Sequence, residues 1–221
     1  MAIDGPAGAG KSTVAKRLAK VLGFLYMDTG AMYRALALKV MRRGIDPEDT
    51  EQVRRILSET RIELAAADGQ SRVYLDGVDV SDQVRTPEVS QLASKVSTLK
   101  VVRERMVELQ RSMAAAGGVV AEGRDIGTVV FPNADVKIYL DASPEQRARR
   151  RAEEIKSRGG DASWEQTLAE TIERDQRDQE RAIAPLRKAD DAIVIDSTSM
   201  EVEQVIGRIE QKVRARMRGI E

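Results

Sequence analysis

Gly5-Pro6-Ala7-Gly8-Ala9-Gly10-Lys11-Ser12 follows the pattern G-x-x-x-x-G-K-[ST]. A short apolar run, Met1–Ile3, precedes it. A helical pattern over Ser12–Leu22 follows, with Val14, Leu18, Val21 and Leu22 on one face. Strand, Gly-rich loop and helix in that order make a cradle for phosphate. The glycines let successive N–H groups point into one concavity. The helix start adds its positive dipole end at the same place. Lys11 can reach the outer phosphates, and the Ser12 hydroxyl can hold a magnesium ion.

Outward from the loop, short apolar runs alternate with helical patterns. Strands are expected at Ala2–Ile3, Phe24–Met27, Gly118–Ala121, Val136–Leu140 and Ala192–Ile195. Nearly unbroken apolar runs suit strands buried on both faces of a parallel sheet. Helices are expected near Gly30–Arg43, Thr50–Glu59, Pro87–Thr98, Val101–Ala115, Pro144–Arg158, Ser163–Arg181 and Ser199–Arg218. This alternation predicts an open α/β sheet, whose ligands bind beyond the carboxyl ends of the strands. Asp28-Thr29-Gly30, Glu122-Gly123-Arg124-Asp125 and Asp141-Ala142-Ser143 all fall at such ends. One segment breaks the pattern. Arg61–Leu64, Arg72–Leu75 and Val78–Val80 alternate apolar with polar, and Asp68-Gly69 and Asp76-Gly77 sit between them as hairpin turns. A small antiparallel insert over about Ile62–Arg85 follows, either a surface hairpin or a flap over a substrate.

Composition narrows the chemistry. The chain has 221 residues, no cysteine and no histidine. Disulfides, thiolate metal sites, a Cys nucleophile and the usual general base are therefore absent. The 36 basic and 36 acidic residues cancel, which argues against a broad nucleic-acid-binding surface. No apolar run reaches the length of a membrane span, and no signal peptide precedes the loop. A cytoplasmic protein without a membrane partner is expected.

Four further clusters carry charge in suggestive places. Arg34, with Thr29 as expected helix cap, lies in Asp28-Thr29-Gly30-Ala31-Met32-Tyr33-Arg34. It is either a solvated helix residue or a ligand contact. Glu122-Gly123-Arg124-Asp125-Ile126-Gly127-Thr128 packs three charges between glycines, which is costly unless they have charged partners. Phosphate and magnesium would serve, and so would an internal ion-pair network. Arg147, Arg150 and Arg151 are helix neighbours that repel unless an anion or acid neutralises them. Arg174, Arg177, Asp178 and Arg181 share one helix side, as a salt-bridged surface stripe or a ligand-facing one.

Taken in order, four stretches resemble bacterial cytidylate kinases, from end to end of the chain. They are Ile3–Thr13, Met27–Arg34, Gly123–Pro132, and Arg174-Asp175 with Arg177-Asp178. The resemblance implies the nucleoside monophosphate kinase version of the phosphate-loop fold. That fold is a five-stranded parallel sheet flanked by helices, with a small antiparallel insert and a helical lid. It implies one kinase domain over 1–221: core 1–60, 86–143 and 163–221, insert about 61–85, lid about 144–162. It implies transfer of a phosphoryl group from ATP to CMP or dCMP, with Mg2+ accompanying ATP. The acceptor oxygen is already ionised, so the lack of histidine is no handicap.

Carried over residue by residue, Gly5, Pro6, Ala7, Gly8, Ala9, Gly10, Lys11, Ser12 and Thr13 would hold ATP, with Ser12 on the metal. Arg34 and Arg124 would grip the CMP phosphate, with Thr29 nearby. Arg103 and Asp125 would read the base, helped by Ser94. Cytosine offers its amine to a carboxylate and its ring nitrogen and carbonyl to Arg, whereas uracil would face Asp125 with an acceptor. Arg174 and Asp178 would hold the ribose, and Arg181 would reach toward the monophosphate. Lys11, Arg124, Arg147 and Arg151 would be catalytic, the last two on the lid. A phosphate-loop GTPase is disfavoured, since neither D-x-x-G nor N-K-x-D occurs. A kinase for UMP, dTMP or a sugar acid, and a structural protein retaining an ATP site, remain as alternatives. No large apolar stripe is left over, so a monomer is expected.

Overall fold

The structure, a computed structural model, describes residues 1–67, 70–157 and 159–217. In chain order the elements are β1 (Ala2–Asp4), α1 (Lys11–Leu22), β2 (Leu25–Asp28), α2 (Thr29–Arg42), α3 (Thr50–Ser58), β3 (Ile62–Ala67), β4 (Gln70–Leu75), β5 (Val78–Asp79), α4 (Pro87–Val96), α5 (Lys100–Met113), β6 (Val119–Gly123), β7 (Lys137–Asp141), α6 (Pro144–Ser157), α7 (Trp164–Glu180), β8 (Ile193–Asp196) and α8 (Val202–Met217). They divide into two compact units, Met1–Tyr26 with Gly118–Glu221, and Met27–Gly117.

The first unit holds the parallel sheet, in the order β2-β6-β1-β7-β8. The five expected strands are the five observed, in the α/β arrangement expected. Each runs further toward its carboxyl end than its apolar residues do. Asp4 pairs in register with Gly123 and Tyr139, and Asp141 with Asp196. Ladder pairing belongs to the backbone, so a strand continues past its last apolar side chain. Each strand thus carries a polar residue to the ligand edge while its backbone stays fixed.

Beneath the sheet, α1 buries Val14, Ala15, Leu18 and Ala19. Val21, expected on that face, lies at the edge of the arc and is 60% exposed. Burial of Val14 and Leu18 contributes about 1.5–3 kcal/mol each. Their neighbours include Ile3, Val120, Ile138, Leu140, Ile195 and Ile209. Gly5 is required by close packing. A Cβ there would lie 1.9 Å from the Leu140 carbonyl oxygen, and its φ of 146° is hostile to any L side chain.

The second unit has its own core of Met32, Leu36, Val53, Leu57, Val89, Val96, Val102 and Met106 with their neighbours. The antiparallel insert exists as the three-stranded sheet β3-β4-β5. Its turn at Asp76-Gly77 has φ of 51° and 83°, the pair of left-handed values a two-residue hairpin needs. The turn expected at Asp68-Gly69 lies outside the described residues. Ile62, Val73 and Leu75 are buried in the same core as α2 and α4. The insert is therefore more than a decorative hairpin. Asp28, not Thr29, caps α2: its Oδ1 accepts from the Ala31 N–H at 2.9 Å, and Thr29 is the first helical residue. Among the described residues, no helix is long and apolar enough to cross a membrane.

Candidate active site

The first unit gathers charge around the loop that joins β1 to α1. Lys11 opens α1, is 6% exposed, and donates from Nζ to the Pro6 carbonyl at 2.6 Å. Burial pushes its ammonium down to about 7. Arg124 and Arg174 push the same way, while Glu122 and Asp4 oppose them. A cation this poorly solvated is stabilised by any polyanion that reaches it. Ser12 and Thr13 follow on the exposed first turn of the helix.

Opposite the loop, β6 delivers Glu122 and Gly123 to the sheet edge and then Arg124 and Asp125. The chain next makes a π-helical turn, Ile126–Val130, closed by Val130 N–H to the Asp125 carbonyl at 3.1 Å and Phe131 N–H to the Ile126 carbonyl at 2.7 Å. Such one-turn π segments cluster at functional sites. Arg124 Nε lies 2.8 Å from Asp178 Oδ2. Burial opposes the Arg124 charge, but Asp178, with Glu122 and Asp175, more than restores it. Burial likewise opposes the charge on Asp178, yet Arg124, Arg174 and Arg181 hold its carboxyl below the usual range. Arg181 Nη2 lies 3.5 Å from Asp125 Oδ1, and its Nε donates to the Ala184 carbonyl at 2.5 Å.

Arg147 and Arg151 part company. Arg147 is 3% exposed. It donates from Nε to the Ala142 carbonyl at 2.8 Å and from Nη1 to the Ala7 carbonyl at 3.1 Å, and Nη2 lies 2.5 Å from Asp175 Oδ2. It fastens α6 to the phosphate loop. Arg151 is half-buried and pairs with Glu154 of the same helix at 2.8 Å. Arg150 grips the Ser197 carbonyl at 2.7 Å, and the Ser197 hydroxyl donates to the Ala9 carbonyl at 3.2 Å. Arg177, expected beside Arg174 and Asp178, instead pairs with Glu173 on the exposed side of α7. The buried stripe of α7 is Thr167, Thr171, Asp175 and Asp178.

In the second unit, Arg34 Nη2 lies 2.9 Å from Asp28 Oδ2 at the start of α2, beside buried Thr29. Arg103 is 3% exposed, donates to the Ser97 carbonyl at 3.3 Å, and lies over the Tyr33 ring at 5.7 Å from its centroid. Ser94 is buried one turn away, its carbonyl accepting from the Ser97 hydroxyl at 2.9 Å.

Two buried carboxylates to which the sequence assigns no role lie here, Asp4 and Asp175, beside Glu122, which accepts from the Tyr26 hydroxyl at 2.5 Å. Asp4 sits at the junction of strand and loop, a position where a charge needs a purpose. That was the available signal. Burial pushes its carboxyl up to about 6. The Gly127 and Ile126 N–H groups and Lys11 pull it back, and Asp125 adds to the rise. The Tyr139 phenol faces it from β7. Its folded value lies above its ordinary 3.8, so the native state binds more protons between about pH 4 and 6. Stability from this group is present at low pH and lost as pH rises through that window. Urea unfolding of wild type and Asp4→Asn should therefore show their stability difference moving toward wild type by up to about 3 kcal/mol from pH 7 to pH 4. A difference that does not vary with pH would remove Asp4 as the group responsible.

A hydroxyl beside a buried ammonium, at a helix start, suits a magnesium ion shared with phosphate oxygens. Among the described residues, no group of three or more acidic side chains is placed to hold a metal without such help.

The family model for cytidylate kinase matches residues 1–215. A protein named "Cytidylate kinase" from Pelotomaculum thermopropionicum is 55% identical over 97% of this chain and 96% of its own length. Proteins of the same name from Caldicellulosiruptor bescii and Geobacter sulfurreducens are 52% and 50% identical, over 95% and 99% of this chain and 92% and 94% of theirs. A solved structure of TT1252 from Thermus thermophilus is similar over 96% of this chain and 95% of its own, with TM-score 0.45 and 19% identity.

Proposed function

The chain belongs to the cytidylate kinase family, and from that premise we propose that it transfers the γ-phosphoryl group of ATP to CMP or dCMP, giving ADP and CDP or dCDP. The observation that carries the proposal is the cluster of buried Lys11 and half-buried Arg124, Arg174 and Arg181 with the buried carboxylates Asp125 and Asp178. Such cations are costly to bury, and internal carboxylates hold them until phosphate arrives.

Gly5–Thr13 would hold the ATP phosphates through backbone N–H groups. Lys11 would follow charge onto the transferred group, with Arg124 on the acceptor side. Ser12 would hold Mg2+, which when bound neutralises charge between the ATP phosphates. By the family resemblance, we assign the CMP contacts to Thr29, Arg34, Ser94, Arg103, Arg124, Asp125, Arg174, Asp178 and Arg181. Asp125 and Arg103 would select the base. Asp178 and Arg174 would take the ribose, so Arg124 must partly exchange Asp178 for phosphate as CMP enters. Arg147 would act on ATP by holding the Ala7 carbonyl, and Arg151 would reach phosphate only by leaving Glu154. No base is needed, because the attacking oxygen is already an anion. Catalysis reduces to positioning and electrostatic stabilisation.

A coupled assay with CMP, dCMP, UMP, AMP and dTMP, with and without Mg2+, tests this. CMP and dCMP should turn over fastest, and only with the metal. Faster turnover of UMP or dTMP would overturn the choice of base.

A further inference from the structure

The π-helical turn that follows Arg124 and Asp125 begins with buried N–H groups that have no partner within the turn, and its own flanking residue, Asp125, supplies no side-chain cap. The cap comes from the far end of the sequence. Asp4 Oδ1 accepts from the Ile126 N–H at 2.8 Å, and Oδ2 accepts from the Gly127 N–H at 2.7 Å. Asp4 itself is held in register between Gly123 of β6 and Tyr139 of β7, and is 4% exposed. A rigid carboxylate in the middle of the sheet thus fixes the two residues directly beyond Asp125.

We propose that Asp4 is a positioning residue for the acceptor nucleotide: by gripping two successive N–H groups of the turn, it aims Arg124 and Asp125. The proposal rests on the reading of those two residues as CMP contacts. Three features argue for it over a merely structural anion. First, the two consecutive donors each meet their own acceptor oxygen, a pair that a carboxylate has and an amide lacks. Second, the anion is kept at a cost, since burial disfavours it, and Lys11 is the cation among the groups facing it while Asp125 and Tyr139 add negative or neutral neighbours. A neutral cap would have been cheaper if only a turn were wanted. Third, the partner is shaped for the approach. A Cβ on Gly127 would lie 3.3 Å from Asp4 Oδ2 and 3.1 Å from Lys137 Cδ, so glycine lets the carboxylate come this close.

The test is Asp4→Asn, which keeps size but turns one acceptor into a donor facing an N–H. We expect kcat/KM for CMP to fall about 100-fold and KM for ATP to move less than threefold. The preference for CMP over UMP should fall at least fivefold, because Asp125 loses its aim. Equal losses for CMP and UMP, or equal rises in both KM values, overturn the proposal in favour of a structural role. If Asp4→Asn does not fold, Gly127→Ala perturbs the same bond from the donor side and is judged by the same ratios. Amide hydrogen exchange provides the second arm and does not depend on substrate. Exchange at Ile126 and Gly127 should quicken at least tenfold in the variant relative to amides of β7. Unchanged exchange overturns the proposal outright. A wild type that prefers UMP overturns instead the reading of Asp125, and the exchange arm alone then decides whether Asp4 holds the turn.

Discussion

Lys11→Met is expected to lower kcat on the order of 10^3-fold while leaving the protein folded. Removing one preorganised donor aimed at developing charge costs about 10^2–10^3 in rate. A bound polyphosphate would favour the charged form of Lys11, and the ammonium would stay with the phosphoryl group through transfer, so the upper end applies. Methionine fills nearly the same volume in a site where the lysine is 6% exposed. Two stability effects then oppose one another. The Pro6 carbonyl loses its 2.6 Å donor, which costs about 1–3 kcal/mol if no water replaces it. Against that, an ammonium disfavoured by burial is removed, along with repulsion from Arg124 and Arg174. Net change in melting temperature should be small. Steady-state kinetics and a thermal melt on the same sample check both halves. Rate loss below tenfold would take Lys11 out of the chemistry.

Arg124→Ala should damage both function and stability. The rate should fall on the order of 10^3-fold, because the acceptor phosphate loses a charge-assisted partner. Stability should fall too, since Asp178 is 5% exposed and loses the guanidinium 2.8 Å away. Breaking a buried pair costs about 3–5 kcal/mol when the remaining charge has no other partner. Here Arg174 and Arg181 still face Asp178, so about 2 kcal/mol is expected, or 4–8 °C in Tm. Asp178→Asn in the Arg124→Ala background should recover part of that stability and none of the rate. Arg124→Lys keeps charge but not the fork, and should fall between. If Arg124→Ala lost stability alone, the pair would be an internal brace and not a substrate grip.

Part of the candidate site is legible because its residues sit beside glycines, at strand ends or on helix stripes, where a charge is conspicuous. The loop Gly5–Ser12 could be read from eight adjacent residues. Arg124, Asp125, Arg174, Asp178 and Arg181 stood out as charges beside glycines, prolines or helix stripes. What escaped was pairing at distance. Asp4 looks like the last residue before a loop, and nothing local shows that it caps a turn at Ile126. Asp175 lies one residue from Arg174, and the structure buries it while Arg177 pairs with Glu173. A helical wheel marks which residues share a side, but not which side faces inward. The arginines of α6 show the same limit. Arg147, Arg150 and Arg151 are nearly equivalent in sequence, yet one braces the phosphate loop, one holds Ser197 and one pairs, half-buried, with Glu154 on its own helix.

By itself the sequence determined the strand–loop–helix cradle, the parallel sheet with its antiparallel insert, and the exclusion of histidine and cysteine chemistry. These follow from local periodicity, turn residues and composition, which act over a few residues. Tertiary structure alone decided which carboxylate answers which guanidinium, where the strands stop, and that β1 supplies the cap for a turn 122 residues later. Such choices depend on burial and on bonds between segments that meet only once the sheet has formed. The loop at Gly5–Ser12 could therefore be recognised from the letters, while the grip of Asp4 on the turn beside it could not.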